Sequence, residues 1–227
     1  MRENIKGVAF DLDGTLYPNY RLNIRLIPFI LKELRLIAAF GKTRDLIREE
    51  LEKNSLSQGD FYEYQAEKTA KLLSVQPGPL KEKIDRLIYK GWEPIFKSIK
   101  LFKGVNETLD ALRKANYKLG LLSDFPPETK LKYLGVTCTW DAVHCSERCN
   151  ALKPHPLSFI KLADAMSLPP EEILYVGNSH RYDVIGAARA GMKTAWIKPA
   201  LYLGSKNKPK PDFSFSNYRQ LYDFMLT

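Results

Sequence analysis

Two aspartates, Asp11 and Asp13, lie two positions apart at the end of a short apolar run. Residues two apart in an extended chain point to the same face, and Gly14 lets the backbone turn immediately afterwards. Two carboxylates in one small site repel each other unless one binds a proton or a cation lies between them. The pair therefore predicts a nucleophile beside an acid/base group, or two Mg²⁺ ligands. The alternative is a turn whose aspartates cap the following segment.

Further polar residues follow other apolar runs of the chain. Ligands of open parallel sheets bind beyond the carboxyl ends of the strands, and Asp11, Ser123 and Asn178 are all in that position. Lys153, in a later loop, supplies a point charge that can offset phosphate or crowded carboxylates. The alternatives are a serine hydroxyl that closes a turn at the end of a strand and a mobile surface lysine.

Strands and helices must alternate if these residues are to meet. The sequence predicts a buried strand over residues 5–10, followed by helical spacing from about 22 to 100, with breaks at Gly41, 54–59 and 76–79. We expect three to five helices and no strand in that region. Beyond Gly104 the predicted helices are 105–115, around 128–134, 156–166 and 182–190, and the predicted strands are 117–122, 142–144, 173–176 and 194–197. A loop over 206–211, a strand-like segment at 211–215 and a helix at 218–225 close the chain.

This alternation predicts an α/β fold with a parallel sheet covered by helices on both faces. The simplest division gives one α/β domain, built from residues 1–16 and 101–227, and an inserted helical domain formed by residues 17–100.

Composition excludes several classes of protein. With 44% hydrophobic and 27% charged residues in a chain of 227, disordered and fibrous classes do not fit. Three cysteines and a start without an apolar signal region favour a reducing cytoplasm. Charged residues interrupt the most apolar long stretch, 22–40, so no membrane span is expected. The net charge of +9 is spread along the chain without a nucleic-acid motif, and it suits small anionic substrates equally well.

Two smaller groups of residues, one of cysteines with a histidine and one of two histidines, suggest other kinds of site. A zinc site would need Cys138, His144, Cys145 and Cys149, whose spacing fits no common structural-zinc pattern. His155 and His180 flank the predicted site, and a polar loop role is the simpler interpretation.

The motifs taken together resemble those of the haloacid dehalogenase (HAD) superfamily. They are DLDGTL at residues 11–16, Ser123, Lys153–Pro154, and Gly177–Asn178 followed by Asp183. The resemblance covers the core in the right order and implies a Rossmann-like core. It also implies that residues 17–100 are a helical cap, similar to the cap of the phosphoglycolate-phosphatase-like branch.

The resemblance implies a role for each motif residue. Asp11 would attack phosphorus and form an aspartyl-phosphate, and Asp13 would protonate the leaving oxygen and then take a proton from the attacking water. Ser123 would donate a hydrogen bond to a phosphoryl oxygen, and Lys153 would offset negative charge. Mg²⁺ would bind the nucleophile and the phosphate, with Asp13 and Asp183 also in its predicted ligand set.

The sequence departs from the family pattern at Asn178, where an aspartate is usual. A neutral amide can still ligate Mg²⁺, but it should bind more weakly than a carboxylate. The expected function is a Mg²⁺-dependent phosphatase of a small phosphorylated metabolite, without nucleic-acid or membrane partners. The alternatives are a dehalogenase-like hydrolase, which Asp13 disfavours because halide needs no proton, and a catalytically silent binding module, which Asn178 favours.

Overall fold

A six-stranded parallel sheet forms the centre of the molecule in the computed structural model, which describes residues 4–53, 59–198 and 209–227. Its strands are β1 (Gly7–Phe10), β2 (Lys118–Ser123), β3 (Ala142–Cys145), β4 (Ile173–Gly177), β5 (Lys193–Ile197) and β6 (Phe213–Phe215). The strand order is β3-β2-β1-β4-β5-β6. Within β1, Val8 is in register with Leu119 of β2 and with Leu174 of β4. The first strand of the chain therefore lies inside the sheet, with a partner on each edge.

Between β1 and β2 the chain is helical, as predicted. This helical segment contains α1 (Asn19–Lys32), α2 (Leu34–Glu52), α3 (Phe61–Leu73), α4 (Pro77–Ile84), a π-helical turn (Asp85–Tyr89) and a 3₁₀ helix (Glu93–Ser98). It has a hydrophobic cluster of its own, which includes Phe40, Leu80 and Ile88. The segment therefore buries apolar surface within itself as well as against the sheet.

The remaining helices cover the two faces of the sheet. They are α5 (Val105–Lys114), α6 (Glu128–Leu134), α7 (Pro156–Met166), α8 (Ile185–Arg189) and α9 (Tyr218–Leu226). Alternate residues of β1 enter different clusters: Val8 packs with residues of α5 and α9, whereas Ala9 packs with residues of α7 and α8. A strand buried on both faces explains the continuous apolar run at this point of the sequence. The predicted parallel sheet with helices on both faces is confirmed.

Two predicted boundaries were wrong. Gly41 does not break a helix, because α2 runs through it and buries neighbouring side chains such as Phe40 and Arg44. The packing of those neighbours outweighs the helix cost of glycine, about 1 kcal/mol. The helix predicted over 182–190 begins instead as a π-helical turn, His180–Val184, before α8. Of the predicted loop at 206–211, residues 206–208 lie outside the described part of the chain.

No helix in the described part of the chain is long and apolar enough to span a membrane. The break predicted at 54–59 falls largely on residues that the structure does not describe.

Candidate active site

Three strands end at the same edge of the sheet and deliver the predicted polar residues to it. Asp11 follows β1, Ser123 ends β2, and Asn178 follows β4. The main-chain N–H of Asp11 donates to the carbonyl oxygen of Val176 at 2.9 Å, which extends the sheet by one residue and fixes the start of the first motif.

A buried lysine joins two of the aspartates. Lys153 Nζ lies 2.6 Å from Asp11 Oδ1 and 2.7 Å from Asp183 Oδ1, and all three side chains are almost fully buried. Burial raises the pKa of Asp11 to about 7, with Asp183 and Asp13 adding to the effect and Lys153 opposing it. Burial lowers the pKa of Lys153. The carboxylates of Asp11 and Asp183 outweigh this effect and hold that pKa well above its ordinary value. The site is therefore crowded with negative charge that one ammonium does not fully balance.

Asp13 lies beside this group with its own partners. Its Oδ2 accepts from Lys130 Nζ at 2.7 Å, and its Oδ1 accepts from the Tyr17 hydroxyl at 2.5 Å. The Ser123 hydroxyl is 3.5 Å from Asp13 Oδ2. The two aspartates of the motif thus have different environments, since Asp11 is buried on Lys153 whereas Asp13 is held between a tyrosine and a second lysine.

Thr15 connects the first motif to Asn178. Its hydroxyl donates to Asp11 Oδ2 at 2.7 Å and lies 3.4 Å from Asn178 Oδ1. Gly14 has a φ of +93°, and a Cβ there would lie 2.3 Å from Asn178 Nδ2. Only glycine allows this turn and this close approach. Because Gly14 has no side chain, the Asn178 amide can lie close to the turn that follows Asp11, the candidate nucleophile.

The oxygen donors at this edge fit Mg²⁺ in chemical type. Asp11 and Asn178 present a carboxylate and an amide oxygen on either side of the Thr15 hydroxyl, and Mg²⁺ prefers such hard donors while keeping several waters. Asp183 has both oxygens engaged, by Lys153 and by the N–H of Ser179 at 2.8 Å. Among the described residues, no three His, Cys, Asp or Glu side chains are grouped to hold a metal ion. The predicted set of Asp11, Asp13, Asn178 and Asp183 stays a prediction.

Arginines of α2 connect the helical segment to the site. Arg48 donates to Asp124 Oδ2 at 2.8 Å and to the carbonyl oxygen of Lys153 at 2.9 Å. Burial raises the pKa of Asp124. The positive charges of Arg48, Arg44 and Lys153 outweigh this effect and lower the pKa to about 2. Arg44 pairs with Glu147, whose side chain is completely buried.

The histidines and cysteines named in the sequence have other contacts. His155 caps α7 by accepting from the N–H of Leu157 at 3.3 Å, and His180 packs edge-on against Trp196. Cys149 Sγ lies 3.8 Å from His144 Nδ1.

Besides the arginines of α2, three residues of the site were not predicted from the sequence. Asp124 directly follows Ser123 and Thr15 lies inside the first motif, so position alone could have suggested both. Lys130 carries no signal, because its pairing with Asp13 depends on how α6 packs.

A cavity of about 520 Å³ opens beside Asp13, between the helical segment and the sheet. Asp13 and Lys130 lie at its wall together with aromatic and aliphatic residues of both parts of the chain. The acidic group of the site therefore borders a chamber large enough for a small-molecule ligand.

Comparison with known proteins identifies the family to which the chain belongs. The chain belongs to the haloacid dehalogenase-like hydrolase family, whose profile matches residues 5–191.

Individual relatives are more specific. The chain is 30% identical over 227 residues to the glyceraldehyde 3-phosphate phosphatase of Methanopyrus kandleri, covering 96% of each protein. It is 28% identical to the phosphoglycolate phosphatase of Salmonella typhi, covering 96% of this chain and 92% of that protein. A dehalogenase solved with an intermediate complex superposes with a TM-score of 0.69 at 16% identity, covering 99% of this chain and 98% of that one. That last likeness concerns the fold alone.

Proposed function

We propose that this chain is a Mg²⁺-dependent phosphomonoester hydrolase that acts on a small phosphorylated metabolite through an aspartyl-phosphate. The observation that carries the proposal is the buried contact of Asp11 with Lys153, with Asp13 beside it in a different environment. The names of the two phosphatase relatives support the same reaction class.

In the first step a carboxylate oxygen of Asp11 forms a bond to phosphorus while the ester P–O bond breaks. The electron pair of that bond leaves with the alcohol oxygen, and Asp13 donates a proton to it. Lys153 and Ser123 stabilise the negative charge on the phosphoryl oxygens.

In the second step a water oxygen forms a bond to phosphorus and gives a proton to Asp13, while the bond between phosphorus and Asp11 breaks. Inorganic phosphate leaves, and both aspartates return to their starting states. Lys130 and the Tyr17 hydroxyl hold the Asp13 carboxyl group in position during both steps.

Asp11, Asp13 and Asn178 would hold the metal, with Asp183 in or directly next to this ligand set. When bound, Mg²⁺ supplies positive charge next to the nucleophile and the phosphoryl group. Asp11 must be ionised to attack, and because burial raises its pKa, added positive charge would favour the reactive form.

The helical segment serves as the cap in this proposal, with the domain division at residues 1–16 and 101–227 against 17–100. The bonds of Arg48 to Asp124 and to the carbonyl oxygen of Lys153 support a cap that closes directly over the site. A cytoplasmic location is part of the same proposal.

The test is hydrolysis of p-nitrophenyl phosphate by the purified protein, with and without Mg²⁺, and by Asp11→Asn. The amide is nearly isosteric but far less nucleophilic, so we expect Asp11→Asn to lose turnover and to keep the fold. Asp110→Asn, a change at an exposed aspartate of α5, is the matched control and should keep full activity.

Each alternative has its own outcome in this assay. Halide release from 2-chloropropionate without phosphate release would favour the dehalogenase-like reaction. No turnover of either substrate at any Mg²⁺ concentration would favour a silent binding module. An Asp11→Asn protein within a few-fold of the wild type would refute the covalent mechanism.

A further inference from the structure

The cavity beside Asp13 has predominantly apolar and aromatic walls. Its lining includes Tyr62, Ile84, Ile88, Trp92 and Phe96 from the helical segment and Phe125 from the loop after β2. Ile88 and Phe96 are almost fully buried, whereas Tyr62, Trp92 and Phe125 are partly exposed and have ring surface left for a ligand. Such walls bind apolar groups because they remove apolar surface from water.

The aromatic rings of this wall contact one another in edge-on and tilted arrangements. The rings of Tyr62 and Tyr89 are 5.3 Å apart at an interplanar angle of 79°, and Tyr89 lies 5.9 Å from Phe125. The polar group of Tyr89 is already engaged, since its hydroxyl donates to Glu147 at 2.9 Å and accepts from Gln65. This part of the wall therefore offers ring surface to a ligand.

The lysines at the cavity wall are each held by a carboxylate. Lys81 pairs with Glu63 at 3.0 Å, Lys90 with Asp85 at 2.6 Å, and Lys130 with Asp13 at 2.7 Å. Asp60 and Glu93 add further negative charge to the same lining. An anionic ligand group would meet paired lysines and additional carboxylates, so this chamber disfavours it.

The position of the cavity beside Asp13 relates it to the proposed reaction. Asp13 is the group that protonates the leaving oxygen in the proposed mechanism, and it lies at the cavity wall. The alcohol that departs from phosphorus must therefore occupy the space on this side of Asp13. The phosphoryl group itself stays with Asp11 and Lys153.

We infer that the preferred substrates are phosphate esters of uncharged, ring-bearing alcohols rather than esters whose alcohol carries a carboxylate. The inference rests on the proposed phosphatase function. The volume of about 520 Å³ lies within the range of chambers that hold drug-sized ligands, about 300 to 1,000 Å³. A two-carbon or three-carbon alcohol would leave most of this chamber without apolar contact.

The test compares three alkyl esters, so that differences in leaving-group reactivity stay small: 2-phenylethyl phosphate, ethyl phosphate and 2-phosphoglycolate. We expect kcat/KM to be at least about tenfold higher for 2-phenylethyl phosphate than for the other two. Trp92→Ala should remove about tenfold of that kcat/KM and change the ethyl ester by less than twofold. Leu72→Ala, an exposed apolar truncation in α3 of the same segment, is the control and should change neither.

A second measurement needs only the wild-type protein. Free 2-phenylethanol should compete with ethyl phosphate, whereas ethanol and glycolate at the same concentration should not. A preference for 2-phosphoglycolate, an equal loss on all three esters in Trp92→Ala, or no competition by 2-phenylethanol would overturn the inference while leaving the phosphatase function in place. Failure to hydrolyse any of the three esters in the presence of Mg²⁺ would instead refute the proposed function.

Discussion

Arg44 of α2 and Glu147, in the loop after β3, form an ion pair that joins the helical segment to the sheet. The Arg44 side chain is 6% exposed and that of Glu147 is 0% exposed. Gln65, Tyr89 and Asp124 also surround the pair, since Arg44 donates to Gln65 at 3.1 Å, the Tyr89 hydroxyl donates to Glu147, and Arg44 Nη2 lies 3.6 Å from Asp124 Oδ2. Replacing Arg44 by Met removes the positive charge and leaves Glu147 buried.

The cost of this change depends on pH, because Glu147 can bind a proton. Burial already raises its pKa above the ordinary value of 4.5, and Arg44 opposes that effect. Without Arg44 the pKa rises further, so the folded state holds a proton that the unfolded state releases above pH 4.5. Each pH unit above that value costs at most about 1.4 kcal/mol. The electrostatic penalty is therefore at most about 3.5 kcal/mol at pH 7 and below about 1 kcal/mol at pH 5.

Urea unfolding of the wild type and of Arg44→Met at pH 5, 6 and 7 measures this difference. We expect the loss of unfolding free energy to grow with pH, and the double variant Arg44→Met/Glu147→Gln to lose that dependence because its amide does not titrate. A buried ion pair replaced as a unit costs far less than one partner removed. A loss in Arg44→Met that is the same at all three pH values, or one that keeps its pH dependence in the double variant, would refute the reasoning.

Three further predictions concern the site. Asp13→Ala should lower kcat for alkyl phosphates by about 10²- to 10⁴-fold, and p-nitrophenyl phosphate should lose much less because nitrophenolate needs little protonation; equal losses in steady-state assays would mean that Asp13 acts only by positioning. Asn178→Asp should lower the Mg²⁺ concentration for half-maximal activity, since a carboxylate binds this cation better than an amide does; an unchanged Mg²⁺ titration would show that Asn178 is no ligand. Asp124→Asn should cost about 2 kcal/mol of unfolding free energy at pH 7, because the folded-state pKa of about 2 lies below the ordinary 3.8. That contribution is present above pH 4 and is lost as the pH falls toward 2. If urea unfolding shows the same loss of unfolding free energy in Asp124→Asn at every pH, the lowered pKa of Asp124 is contradicted.

The sequence predicted those features that depend on a local pattern of residues. The alternation of apolar runs predicted the parallel sheet, and the polar residues that end or follow β1, β2 and β4 do lie at one edge of it. The catalytic roles assigned to Asp11, Asp13 and Ser123 stay predictions. Their positions could be inferred because strand ends meet wherever strands are parallel.

Pairings between distant segments could not be predicted in this way. Lys130 reaches Asp13 only because α6 packs near the loop after β1, and Arg44 finds Glu147 across the boundary between the helical segment and the sheet. Gly41 illustrates the opposite error, since a residue of low helix propensity lies inside α2. The two pairings depend on tertiary packing, which single-sequence spacing does not contain, and at Gly41 such packing outweighed the local preference.

The central place of β1 has a consequence for how the chain acquires its fold during synthesis. β1 is made first, yet its hydrogen-bonding neighbours are Leu119 and its flanking residues on one side and Leu174 and its flanking residues on the other. At a translation rate of about 5 to 20 residues per second, the first of these neighbours follows Val8 after about 5 to 20 s. The helical segment is synthesised during this interval, while β1 has two open edges, and such edges are prone to association with other chains. The site residues contributed by β1, β2 and β4 can therefore come together only after β4 has been synthesised and has paired with β1.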